Sequence, residues 1–160
     1  MTILAIDPGT TESGWCLYHP ERGILGAGVK PNDLMLMEIG HMPADALAME
    51  MIASYGMAVG REVFETCVWI GRFVQAWHAP NEVRLVYRRD VKLHLCGTTQ
   101  AKDANVRQAI VDLFPRTGAG KTPQIGTKKQ PGPLYGVTSH AWSALAVALT
   151  ALHQMERADA

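Results

Sequence analysis

A chain of 160 residues with 48% apolar residues has the material for one continuous core, which excludes a disordered chain and fits a single domain over residues 1–160. Formal net charge is zero, but charge is unevenly spread: Pro115 to Thr138 holds no acid beside Arg116, Lys121, Lys128 and Lys129, and Arg84, Arg88, Arg89 and Lys92 face only Asp90. A locally basic surface on a neutral protein is compatible with phosphate binding. The first residues lack the basic start and long apolar stretch of a signal peptide, and no run approaches the length of a bilayer span, so a cytoplasmic protein with no membrane partner is expected. Cys16, Cys67 and Cys96 are odd in number and set in apolar surroundings, and read as buried thiols rather than a disulfide framework or zinc site.

In chain order, Thr2 to Ile6 and Ser13 to His19 read as strands joined by Pro8-Gly9-Thr10, and Ile24 to Val29 as a third that completes a meander. Pro31-Asn32-Asp33 precedes a short helix with Asn32 or Asp33 near its cap. Ala46 to Ile52 is a short apolar run interrupted by Glu50. Arg61 to Trp77 has helical periodicity, with Val63, Phe64, Cys67, Val68, Ile70, Gly71 and Val74 on one stripe and Trp69 on the polar one, where an outward aromatic marks a subunit interface. Val83 to Tyr87 reads as the fifth strand, and His94, between Leu93 and Leu95, as a structural strand-end residue. Asp103 to Phe114 is a helix ending against Pro115, followed by a long Gly-, Pro- and Lys-rich loop to Val137 of the kind that is functional or mobile. Ser139 to Met155, capped by Thr138 or Ser139, is apolar nearly all round and predicts a buried helix. The order predicts an α/β fold with a mixed five-stranded sheet, an antiparallel meander extended by crossover strands and covered by helices.

Asp7 is the first residue to demand a chemical explanation, since it ends an apolar run. It can cap the Pro8-Gly9 turn; it can begin a phosphate-binding turn, because Asp-x-Gly-Thr-Thr is similar to that of the actin and Hsp70 ATPases; or it can bind a divalent metal. The ATPases clasp nucleotide between two domains, and this chain has room for one. A metal ligand needs partners, and Glu50, in an apolar run where an unpaired carboxylate is costly, is the best of them. Gly118-Ala119-Gly120-Lys121-Thr122 is no Walker loop, because Pro115 stands where its first glycine belongs.

Ala5-Ile6-Asp7-Pro8-Gly9, Ala48-Met49-Glu50 and His140-Ala141-Trp142-Ser143-Ala144-Leu145-Ala146 together resemble the RuvC-type Holliday-junction resolvases of the ribonuclease H-like fold, most closely the shorter bacteriophage versions. The resemblance covers most of the chain, through Val91-Lys92 and Lys102. It implies a metal-dependent endonuclease with Asp7, Glu50 and His140 as catalytic and metal-binding residues, Mg²⁺ as cofactor with Mn²⁺ as a possible substitute, and branched double-stranded DNA as partner. Cleavage would leave 5′-phosphate and 3′-hydroxyl ends. Arg88, Arg89, Lys92, Lys102, Lys128 and Lys129 are the expected DNA-binding residues, and a C2 homodimer is expected to use Trp69. The chain departs from the family pattern at Ser143, where an acid is usual. That departure keeps two alternatives open: a branched-DNA-binding module with weak catalysis, and a broad branch or flap nuclease.

Overall fold

The computed structural model describes all 160 residues. Five strands, β1 (Ile3–Asp7), β2 (Glu12–His19), β3 (Gly23–Pro31), β4 (Ala46–Met51) and β5 (Arg84–Tyr87), form one sheet in the order β3-β2-β1-β4-β5. β1, β2 and β3 pair antiparallel as the expected meander, while β4 joins β1 and β5 joins β4 in parallel. The helices are α1 (Asn32–Glu38), α2 (Arg61–Ala76), α3 (Arg88–Cys96), α4 (Asp103–Leu113) and α5 (Ala141–Asp159). No helix is long and apolar enough to cross a membrane.

Strand alternation divides the core in two. Ile3, Ala5, Ala48 and Val86 face one side of the sheet and pack with α3, α4 and α5, whereas Leu4, Ile6, Leu47 and Met49 face the other and pack with Met35, Ile39, Ile70, Phe73 and Trp77. The small residues Ala141, Ala144, Ala148 and Ala151 are all buried, which lets α5 lie close against β1 and β2. Its near-complete burial through Leu152 matches its apolar circumference.

Several elements differ from the sequence reading. Residues 88–96 form a helix, α3, closed by Gly97 at φ 72°, so His94 is helical and stacks on His153 at 4.2 Å instead of ending a strand. On α2 the inward residues are Thr66, Ile70 and Phe73, and Phe64 and Val68 are each 61% exposed. Trp69 is half-buried rather than outward, its ring 5.7 Å from Phe73 with the Arg72 guanidinium 4.2 Å over it. Of the cysteines only Cys16 is fully buried, and burial pushes its thiol up to about 12; all three are free. The Pro115–Val137 segment is folded upon itself, with backbone bonds from Gly118 to Pro123, Ala119 to Gln130 and Gly132 to Ile125, and with Leu134 in the core.

Candidate active site

Asp7 and Glu50 sit at the same end of the sheet for a simple geometric reason. The β1–β4 register pairs Ile3 with Ala46 and Ile6 with Met49, so the next residue of each strand is Asp7 and Glu50, side by side at the carboxyl ends of two parallel strands. Alternation puts both on the α5 side, after Ala5 and Ala48. In β5, Val86 pairs with Glu50, and Arg88 follows two residues later as α3 begins. The start of α5 then brings His140 across, and its Nδ1 donates to Asp7 Oδ2 at 3.0 Å. A carboxylate acceptor fixes the proton on Nδ1 and leaves Nε2 available to the solvent side. Asp7, Glu50, Arg88, Asp103, His140 and Ser143 line one polar cleft of about 250 Å³.

The turn after Asp7 is fixed by a buried residue that the sequence offered as a helix cap. Pro31 precedes α1 without a side-chain cap, and Asn32 turns inward instead. Its Nδ2 donates to the Gly9 carbonyl at 2.8 Å and its Oδ1 accepts from Ser13 Oγ at 2.6 Å, while Gly9 N donates to Ser13 Oγ at 3.3 Å. This network closes the Pro8-Gly9 turn, so Asp7 is free of that duty and its carboxylate faces the cleft.

Gly14 is a second residue that sequence reasoning missed. It pairs with Asp7 across the hairpin, and a Cβ there would meet the His140 carbonyl oxygen at 2.3 Å and carbon at 2.4 Å. Only glycine lets α5 begin directly over β2. Gly14→Ala is expected to destabilise the fold by about 1–3 kcal/mol in denaturant unfolding, because backbone must move. Gly71→Ala, in α2 where nothing lies within 4 Å, is expected to stabilise by about 1 kcal/mol.

The electrostatics of the cleft are those of two carboxylates sharing too little solvent. Burial raises Asp7 above its ordinary value, opposed by a hydrogen bond from Glu50, the charge of Arg88 and a hydrogen bond from Ser143. Burial, the Asp7 charge and the hydrogen bond to Asp7 push Glu50 up to about 8, with Arg88 opposing. Without a cation the pair therefore holds on to a proton to higher pH than two separate carboxylates would. That donor set fits a hard divalent cation, which would replace the proton and neutralise both oxygens. No three His, Cys, Asp or Glu side chains are grouped so as to hold a metal ion together, and His140 meets Asp7 by a hydrogen bond.

Of the expected DNA-binding residues, Arg88 lines the cleft and pairs with Asp103, the acid at the start of α4 that the sequence did not single out. Arg89 and Lys92 line an adjoining pocket with Tyr55 and Thr99. Lys102 stands at the N-terminus of α4, and Lys128 and Lys129 are exposed in the folded loop; none of these three lines the cleft.

No family model and no curated protein sequence matches the chain. Solved structures do. Thermus thermophilus RuvC matches with a TM-score of 0.71 and 19% identity over 99% of this chain and 97% of that one. T. thermophilus RuvC in complex with Holliday junction substrate matches with a TM-score of 0.64 and 20% identity over 94% and 92%. With its mixed sheet, meander and flanking helices, the chain has the ribonuclease H-like fold of RuvC.

Proposed function

We propose that this protein is a metal-dependent endonuclease that resolves branched DNA, four-way junctions above all. The observation that carries the reading is the Asp7–Glu50 pair, two half-buried carboxylates at adjacent strand ends in an open polar cleft, in a fold shared with a RuvC solved on a Holliday junction. Asp7 and Glu50 would hold Mg²⁺, or Mn²⁺ in its place, which lowers the pKa of the attacking water and neutralises charge on the leaving 3′-oxygen.

The chain's own side chains supply the rest. His140 holds the Asp7 carboxylate in one orientation through Nδ1 and offers Nε2 to take or give a proton at the phosphate. Arg88 contributes positive charge beside both carboxylates and toward a phosphate entering the cleft. Ser143 lines the cleft with Asp7 and offers it a neutral hydroxyl where a charged ligand would have given more. Breaking the P–O3′ bond leaves 5′-phosphate and 3′-hydroxyl ends. Arg89, Lys92, Lys102, Lys128 and Lys129 would hold strands through phosphates, so that selection follows junction shape.

Symmetric resolution needs two cuts and favours a C2 homodimer. The apolar residues that α1 and α2 leave outward, Leu34, Met37, Phe64 and Val68, are better suited to its interface than the half-buried Trp69. The whole reading is tested by incubating the protein with mobile and immobile four-way junctions, three-way junctions and linear duplex, with Mg²⁺, Mn²⁺ or chelator. Cleavage of four-way junctions that requires metal supports it, equal cutting of every branched substrate makes the protein a general branch nuclease, and no cutting with either metal removes the catalytic assignment.

A further inference from the structure

The cleft does not end at the two carboxylates. Arg88, Asp103, His140 and Ser143 also line a groove of about 450 Å³ between α4 and α5, whose apolar lining includes Val106, Ile110 and Trp142. Besides Arg88 the groove is lined by a second arginine, Arg107, its guanidinium 4.6 Å from the Trp142 ring centroid. The arginine and lysine ion pairs of the chain are Lys30–Glu38, Arg61–Glu65 and Arg88–Asp103, so Arg107 has no carboxylate partner. Asp103, the acid of the groove, is engaged by Arg88. A guanidinium laid on an indole face is oriented by that contact and keeps its N–H groups for an anion.

Arg88 also borders the pocket of about 350 Å³ that holds Arg89 and Lys92. Arg88 is thus shared by the Asp7–Glu50 cleft and two neighbouring pockets, one holding Arg107 and the other Arg89 and Lys92. A nucleic-acid strand, with one phosphate per nucleotide, complements that arrangement.

We propose that the groove between α4 and α5 seats the nucleotide adjoining the scissile phosphate, with Arg107, held on the Trp142 ring, pairing to that nucleotide's own phosphate. The assignment rests on the nuclease reading and deepens it: the cleaved strand runs from Arg89 and Lys92, across Arg88 and the carboxylates, to Arg107.

The test measures binding of a four-way junction in chelator across a salt series, for wild type, Arg107→Gln and Arg107→Lys. It is repeated with single methylphosphonate linkages at each phosphate near the cut. Arg107→Gln is expected to bind about tenfold more weakly and to lose about 0.9 from the slope of log affinity against log salt, while Arg107→Lys keeps the slope. One neutral linkage next to the cut should weaken wild type and leave Arg107→Gln unchanged. A purely structural role for Arg107 would not move the salt slope. Equal slopes, or equal losses for both proteins at every linkage, overturn the assignment. A wild type that neither binds nor cuts branched DNA is a separate result, which removes the nuclease reading itself.

Discussion

Asp7→Asn is expected to reduce metal-dependent junction cleavage at least about 10³-fold, while junction binding without metal stays within about threefold of wild type. The argument is electrostatic. Asparagine keeps the shape of aspartate and can still accept from His140 Nδ1 through its amide oxygen, so the start of α5 has no reason to move. What is lost is the negative charge that Asp7 can bring to a cation, leaving Glu50, the carboxylate whose pKa is pushed up to about 8, as the pair's one acid. Relieved of that neighbouring charge, Glu50 would ionise more easily, but a lone carboxylate with a neutral amide is a poor site for Mg²⁺. Single-turnover cleavage by the variant and a gel-based binding curve in chelator check the two halves. A cleavage rate within tenfold of wild type would show that Asp7 is only a structural member of the β1 strand end.

Asp7 and Glu50 were legible in the sequence because each breaks an apolar run, and an acid in such a run must be compensated. Their adjacency was legible only as a condition on strand order, which the observed parallel β1–β4 pairing meets. The meander was legible from alternation and turn chemistry. Helix α3 was not, because Leu93-His94-Leu95 mimics strand alternation and the helix has only one fully buried residue, Val91, to give it a helical period. Its clearest signal was Gly97, which the left-handed C-terminal position of a helix favours.

The stripe on α2 was misassigned for a related reason. Its apolar residues span more than one face, so periodicity alone could not say which part meets the sheet; Phe73 and Trp69 turn inward and Phe64 and Val68 outward. Gly14, Asn32, Asp103 and Arg107 were illegible as site residues because their roles exist only across tertiary contacts. Gly14 is defined by the backbone of His140 above it, and Asn32 by the Gly9 carbonyl it reaches. An aspartate in the first turn of a helix and an arginine one turn later look in sequence like ordinary solvated charges.

Glu50→Gln is expected to stabilise the metal-free protein at pH 8 and above while abolishing cleavage, a separation of stability from function that follows from the sign of one proton equilibrium. Glu50 in the folded protein titrates near 8, against an ordinary value of 4.5, mainly because it is buried and then because Asp7 faces it. Between those values the folded state holds a proton that the unfolded chain has released, so stability is complete at low pH and falls as pH rises toward 8. Glutamine is neutral throughout and never incurs that loss. The variant's thermal midpoint should match wild type near pH 4.5 and exceed it by about 5 °C at pH 8. Mg²⁺ should reverse the order, because occupancy of the Asp7–Glu50 pair stabilises only a protein that retains both carboxylates. For the same reason wild-type affinity for Mg²⁺ should rise with pH until the Glu50 proton is gone, since cation and proton compete for one site. Melting curves from pH 4.5 to 9, with and without Mg²⁺, test both signs together. A Gln variant that is no more stable than wild type at pH 8, or that gains as much from Mg²⁺, would place Glu50 facing solvent on the strand and outside the site.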